Sequence, residues 1–452
     1  MNNMKQSIFK LSLFFLAMAS FIACSDDDST PIIDDDPIGE DPNPNDPDDP
    51  VAVEFIDMES DWVRLSLMRD GGIDVMQADS GEIKYSVEGE LVEGARYYTS
   101  GSGQYLIEVD RTGGKVRFFD SGIVNHDDHG HENPARWVNA ELTSVLPTHY
   151  TYSGFHMLIF NDGDGSISYI DETRLEIPSY QPETFQLEGT KNHHGVGIRL
   201  DSGKFAVTFQ SETVSSEERL PQMVKFVTSD GTVIDDNGGV EVGRIHGSAN
   251  NGSYGAFGST DGVIIVDDQD NIDLIPNAEG LNSESGNWLG NLKGHEHADV
   301  FFGRSGNLGV FMVDPENKSI TPIYSGGDVV GDMFSFDGEY YLVHTEGGRI
   351  QVFDGHDGDL ITDRIVEMAD IPELSAKGGS ETDILKDGED PSPVLVASDD
   401  FLYVLAPNRT QIKVLEIDEL KHVHTIELDS PVHSMMKNGF SIEGEQHGDH
   451  DH

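Results

Sequence analysis

A single cysteine, three tryptophans and only 28 basic residues among 452 deny this chain several common devices. One cysteine, Cys24, cannot form a disulfide within the chain, so stability has to come from packing. Lysine and arginine are outnumbered by 83 acids, and the formal charge of −55 repels nucleic acid and anionic lipid surfaces. Long stretches of helical periodicity are missing from about residue 52 onward. Also missing are the Gly-x-Ser-x-Gly elbow, the His-Glu-x-x-His zinc-protease helix and the phosphate-cradling Gly-Lys-Ser/Thr loop. "HENPA" and "HEHAD" both lack the second histidine, so the protein is expected not to be an enzyme. "NDGDGS", 161–166, has the look of a calcium loop, but Gly165 occupies the fifth, ligand-bearing position and the phrase reads as a turn.

The chain is expected to have four parts. Residues 1–23 carry Lys5 and Lys10, then a short apolar run, and read as an export signal rather than a membrane span. Cys24, preceded by Ala23, resembles the lipid-modified first residue of a bacterial lipoprotein, with Phe21 where the lipobox has leucine. Residues 24–51 form an acidic, proline-rich tether that cannot bury a core, and its opening "SDDD" resembles the export signal of surface lipoproteins of the Bacteroidetes type. Residues 52–443 are the folded body and 444–452 a His/Asp-rich tail, with His447, His450 and His452. The expected location is the outer membrane of a bacterial cell envelope, on either face, with membrane contact through the lipid anchor alone.

The body is written in short β-rich runs broken by Gly, Asp and Asn. One module recurs, a strand that closes on an aspartate: "KVRFFD" at Asp120, "SISYID" at Asp171, "GVIIVD" at Asp267, "GVFMVD" at Asp314 and "RIQVFD" at Asp354, with looser copies at Asp79 and Asp418. A second series marks the turns that lead into each repeat's first strand: Tyr98, His149, His194, His246, His295, Asp332, Ser380 and His433, spaced by 37 to 53 residues. Such periods fit one four-stranded propeller blade per repeat. The last landmark leaves too little chain for a whole blade, while residues 53–92 supply strands without a landmark. The expectation is an all-β fold: a single closed eight-bladed β-propeller, monomeric, whose closing blade joins the C-terminal inner strand to N-terminal outer strands.

Five of the eight landmarks are histidine, and equivalent positions of a propeller lie on a ring around its axis. His149, His194, His246, His295 and His433 are therefore candidate metal ligands at a channel mouth. Three or four neutral imidazoles, with or without an aspartate, suit Zn²⁺ at about 2.0–2.1 Å per bond. A second candidate set is His126, His129 and His131 in "VNHDDHGHENP", where Asn125, Gly130 and Pro134 argue against a helix. These three are expected on a flexible loop leading from one repeat to His149 of the next, suited to capture or handover. Asp127, Asp128 and Glu132 would raise the local cation concentration.

"NHDDHGHE", "HGSANNGSYGAFGSTDGVIIVD" and "GHEHADVFFGRSG" resemble the AztD-type zinc metallochaperones, secreted propellers that carry zinc to the solute-binding protein of a zinc ABC importer. The resemblance covers most of residues 55–440 and implies a metal role for His126, His129, His131 and His246. It implies Zn²⁺ as the metal and a zinc-uptake component as the partner. The lipid anchor and acidic tether depart from that soluble pattern. Two other functions remain open from sequence: a surface-anchored propeller that binds a protein or glycan, and a metal-dependent propeller hydrolase.

Overall fold

The computed structural model describes residues 59–126, 129–215, 217–234, 239–368 and 392–442. The expected signal, Cys24, tether and C-terminal tail lie outside these residues, as do Asp127, Asp128 and Ser380. Eight antiparallel sheets follow one another along the chain, seven of four strands and one of three. They are the blades of a propeller, here numbered from the N-terminus. Blade 2 comprises Arg96–Thr99, Tyr105–Asp110, Lys115–Asp120 and Arg136–Thr143; blade 3 comprises Pro147–Ser153, His156–Asn161, Ser166–Asp171 and Glu183–Gln186. Blade 4 is Gly197–Arg199, Phe205–Phe209 and Met223–Val227, with isolated bridges at Val233 and Glu241 in place of a fourth strand. Blades 5, 6, 7 and 8 begin with Ile245–Asn250, Asn291–Lys293, Val329–Phe334 and Val394–Ala397. First strands contact first strands of neighbouring blades, which places them around the axis.

Blade 1 closes the ring as expected. Its strands from outside to inside are Ile83–Glu88, Gly72–Gln77, Val63–Arg69 and the C-terminal Ser434–Gly439. Val63 pairs with Gly439 and Met68 with Ser434, and the Ser66 hydroxyl donates to Asn438 Oδ1 at 2.7 Å inside the blade. The repeated aspartates now have a common position. Asp79, Asp120, Asp171, Asp267, Asp314, Asp354 and Asp418 all stand at or just after the third strand from the axis of their blades.

Second and third strands lie between neighbouring blades on both faces, so they read as nearly unbroken apolar runs such as "YLIEVD" and "GVIIVD". Outer strands alternate instead, as in Arg136–Thr143, where Ala140 and Leu142 turn inward. The buried side chains form eight separate apolar clusters, one at each of the eight junctions between adjacent blades. At the junction of blades 6 and 7, for example, Phe302 stacks on Tyr341 with ring centroids 4.0 Å apart. The cluster between blades 8 and 1 joins Tyr403 and Val414 to Leu65 and Met435, which leaves no blade with an uncovered face. No helix among the described residues is long and apolar enough to cross a membrane.

Each first strand runs from an entry face to an exit face, the second returns, and the third again ends on the exit face. This alternation decides where every candidate ligand lies.

Candidate metal centre

His149, His194 and His246 come together on the entry face of three consecutive blades, 3, 4 and 5. Their ligand atoms lie within 4.8 Å of one another. His149 Nε2 is 3.0 Å from His194 Nε2, and the His246 ring centroid is 5.4 Å from His149 and 5.1 Å from His194. Local irregularities aim two of these rings. In blade 3 the register shifts between Pro147 and His149, and in blade 5 between Ile245 and Ser248. In the second bulge Gly247 has φ 75°, a conformation open to glycine, and its Cβ would meet the Gly290 carbonyl oxygen at 2.6 Å. The "HG" at 246–247 is thus a backbone requirement that turns His246 out of the ladder.

Two of the three imidazoles are held from behind. His194 Nδ1 meets the Asp162 carboxylate at 2.7 Å, and His246 Nδ1 donates to the Gly290 carbonyl at 2.7 Å. Binding the Nδ1 side leaves Nε2 as the metal-facing atom, the usual arrangement by which an outer partner sets tautomer and ring angle. Asp162 is in turn paired with Arg111 at 2.8 Å. Burial raises the Asp162 carboxyl, but hydrogen bonds from His194 and Arg111 outweigh it and hold the group below its ordinary value. Burial, and then the neighbouring His194 and His246, push His149 down to about 3, so the ring is neutral and ready to ligate at neutral pH. Three imidazole nitrogens make three corners of a tetrahedral shell, with the fourth left to an exogenous donor.

Sequence reasoning missed Asp162, Arg111 and the Gly290 carbonyl. Asp162 sits in the "NDGDGS" phrase, which is a turn between the second and third strands of blade 3, and its partner His194 belongs to the next blade. A carboxylate at the entry end of a second strand, beside a histidine-bearing repeat, was the available signal.

The other candidates in that ring lie elsewhere. His295 falls beyond Lys293, the exit end of its first strand, so the channel separates it from the entry-face trio. There Nε2 donates to the Phe336 carbonyl at 3.0 Å and Nδ1 accepts from the His297 backbone N–H at 3.3 Å, which occupies both nitrogens. His433 is on the entry face, but its Nε2 meets Asp70 at 2.8 Å at the rim of the closing blade. The aspartate landmark Asp332 accepts from the Tyr341 hydroxyl at 2.8 Å and pairs with Arg304.

His126, His129 and His131 form a second group, with ring centroids 4.6 to 5.6 Å apart and all three exposed. The expected flexible loop is a β-hairpin: Ile123–Asn125 pairs with Gly130–Glu132, and the His126 N–H donates to the His129 carbonyl at 2.9 Å. It is inserted between the third and fourth strands of blade 2, not between repeats. Ile123 is buried, and Glu132 pairs with buried Arg64 at 3.0 Å. A Cβ on Gly130 would lie 2.3 Å from the Trp62 ring, which itself stacks on Phe440. Because the third strand of blade 2 ends at Asp120 on the exit face, this hairpin lies on the opposite face of the propeller from His149, His194 and His246.

Comparison with known proteins was made against this geometry. The zinc chaperone AztD of Citrobacter koseri is 24% identical over 371 residues, which span 78% of this chain and 80% of the relative. The chain is similar to AztD in sequence. It is similar in fold as well: a crystal structure of Citrobacter koseri AztD superposes with a TM-score of 0.68 at 21% identity, covering 85% of this chain and all of that one. The structure of apo AztD gives 0.66 at 20% identity, covering 84% and 99%. No family model matches the chain.

Proposed function

We propose that this protein is an extracytoplasmic zinc metallochaperone, anchored through Cys24 to the outer membrane of a bacterial cell envelope, that takes up Zn²⁺ and passes it to a zinc-uptake system. The likeness to a zinc chaperone supports the class, and the observation that carries it is the convergence of His149, His194 and His246 with their outer nitrogens already held. A three-histidine site suits transfer because an incoming donor can enter the fourth position before the protein ligands leave. The exposed hairpin trio is the more accessible second site, and its position on the far face makes it an independent one. Zinc is here a cargo. The receiving component, such as the solute-binding protein of a zinc importer, would present its own imidazoles or carboxylates at the entry face.

The test is zinc stoichiometry and affinity of the tag-free chain, measured by competition with a chromophoric chelator. Wild type should hold two equivalents, one tightly, and His246→Ala should lose the tight one while its circular dichroism is unchanged. Zinc retained with unaltered affinity in His246→Ala would remove the basis of the proposal.

A further inference from the structure

Arg111 stands behind the metal centre, on a blade that supplies none of its three imidazoles. It lies in the turn between Tyr105–Asp110 and Lys115–Asp120, the second and third strands of blade 2. That turn is fixed. Asp110 Oδ1 accepts from the Gly113 N–H at 2.7 Å, and Gly114, at φ 69°, passes so close to Ser144 that a Cβ would lie 2.5 Å from its carbonyl oxygen. From there the side chain crosses to blade 3. Its Nη2 donates to Asp162 Oδ2 at 2.8 Å and its Nε to the Thr148 hydroxyl at 3.0 Å, which in turn donates to the Leu146 carbonyl at 2.8 Å.

His194 Nδ1, from the approach to blade 4, meets the same carboxylate oxygen at 2.7 Å. A chain of charge therefore runs over three blades, from Arg111 through Asp162 to His194. Its middle member is buried, with 7% of the Asp162 side chain exposed against 46% for Arg111. The two contacts on Oδ2 have opposite consequences for a metal. A carboxylate behind a histidine raises the basicity of the ligand. A guanidinium on the same oxygen withdraws part of that negative charge, and it is a permanent cation. Its charge lies at most about 10 Å from an ion on His194 Nε2, the span of two hydrogen bonds, an imidazole and a zinc–nitrogen bond. Like charges still repel measurably at that range beside a buried carboxylate, where water screens less than in bulk. Ligating imidazoles are themselves uncharged, so a centre whose only adjoining carboxylate is neutralised offers the ion little net negative charge.

We propose that Arg111 tunes release: by neutralising Asp162 and repelling the ion, it holds zinc affinity at His149, His194 and His246 below what those ligands and Asp162 would reach alone, and so speeds handover. This deepens the zinc-carrier reading and rests on it. A plain structural role for the same contacts, a brace that holds Asp162 and Thr148 in place, has the opposite sign, because loosening a support weakens the ligand it supports.

The experiment measures zinc affinity by chelator competition, and the rate of zinc loss into excess chelator, for the tighter equivalent of the full, tag-free chain. Arg111→Gln keeps an amide donor but no charge; it should bind zinc about three- to tenfold more tightly and release it correspondingly more slowly. Arg111→Lys restores the charge and should bring both values back toward wild type. Raising an inert, non-coordinating salt from about 0.1 to 1 M shortens the Debye length from about 10 to 3 Å, so the gap between wild type and Arg111→Gln should narrow. The proposal is overturned if Arg111→Gln binds zinc as wild type does or more weakly, if Arg111→Lys tightens binding as much as Arg111→Gln, or if salt leaves the gap unchanged. Failure of the carrier reading shows separately, in His246→Ala binding zinc as wild type does, and takes this proposal with it.

Discussion

The imidazoles of His149 and His194 face each other with their Nε2 atoms 3.0 Å apart, across a boundary between two blades. Only one of the two nitrogens can carry the proton of that contact, so without metal the pair is joined by a single N–H···N bond and binding a cation must displace that proton. The Asp162 carboxylate on the far side of His194 favours a proton on Nδ1, so Nε2 of His194 is the acceptor and His149 the donor.

Asp162→Asn should therefore weaken zinc binding at the trio by about 10- to 100-fold, the usual effect of losing an outer carboxylate behind a histidine ligand. The fold should survive, because Asp162 sits in a turn outside the apolar clusters that join blade 3 to its neighbours, and asparagine keeps its size. Chelator competition beside thermal unfolding measures both. An unchanged zinc affinity would show that Asp162 orients nothing.

Replacing His126, His129 and His131 together with alanine should remove one zinc equivalent and leave the affinity of the other within about twofold. Sites on opposite faces, without shared partners, behave additively. Loss of both equivalents would mean that the two groups cooperate, contrary to their placement. The hairpin itself should persist, since Ile123, Gly130 and Glu132 hold it to Trp62 and Arg64 rather than through the imidazoles.

The propeller was legible in sequence because each repeat must bury second and third strands on both faces, which forces the apolar run ending at aspartate that recurs from Asp120 to Asp354. The closing blade was legible from arithmetic alone, strands without a landmark at the N-terminal end and too little chain for a whole blade at the C-terminal end. The centre was less so. Landmarks every 37 to 53 residues locate a strand only to within a few positions, and that margin carries His295 from the entry face to the exit face. A bulge further changes which way a side chain points, as at His246, and no periodicity reveals it. Partners remote in sequence, such as Asp162 in the blade before His194 or Asp70 at the opposite end of the chain from His433, leave no trace in local spacing.

Asn438→Ala should destabilise the protein by about 2–3 kcal/mol. Its side chain is fully buried in the closing strand, accepting from Ser66 and donating to the Gly103 carbonyl at 3.0 Å, so truncation strands two partners away from water. Chemical denaturation of metal-free protein should show a lower midpoint with an unchanged slope. A midpoint equal to wild type would mean that closure does not depend on this contact.

The exit mouth should contribute to how stability responds to pH between 6.5 and 4, alongside His149. Burial, and then His297 and His356, push His295 down to about 4, even though its bond to the Phe336 carbonyl works the other way. Its Nδ1 accepts a backbone N–H, so protonation there breaks a bond and places charge in a buried site. Because the folded value is below the ordinary 6.5, His295 contributes stability above that value and loses it as pH falls toward 4, by up to about 1.4 kcal/mol per pH unit. Asp337, on the neighbouring turn, has the opposite sign. Burial raises it to about 6 despite hydrogen bonds from Ser335 and Glu339, with Asp399 and Glu339 adding like charge. A carboxyl raised in the folded state stabilises at low pH and loses that contribution as pH rises through 6. As pH falls from 6 to 4, the folded chain therefore gains a proton at Asp337 while the unfolded chain gains one at His295, and the two effects largely cancel. Asp337→Asn should unmask the histidine and make the denaturation midpoint fall more steeply over that range than in wild type. His295→Gln, which keeps a donor and an acceptor at the site, should make it fall less. Midpoints measured at pH 7, 6, 5 and 4.5 without zinc decide the matter, and wild-type and Asp337→Asn profiles that run parallel would show that the aspartate does not offset the buried histidine.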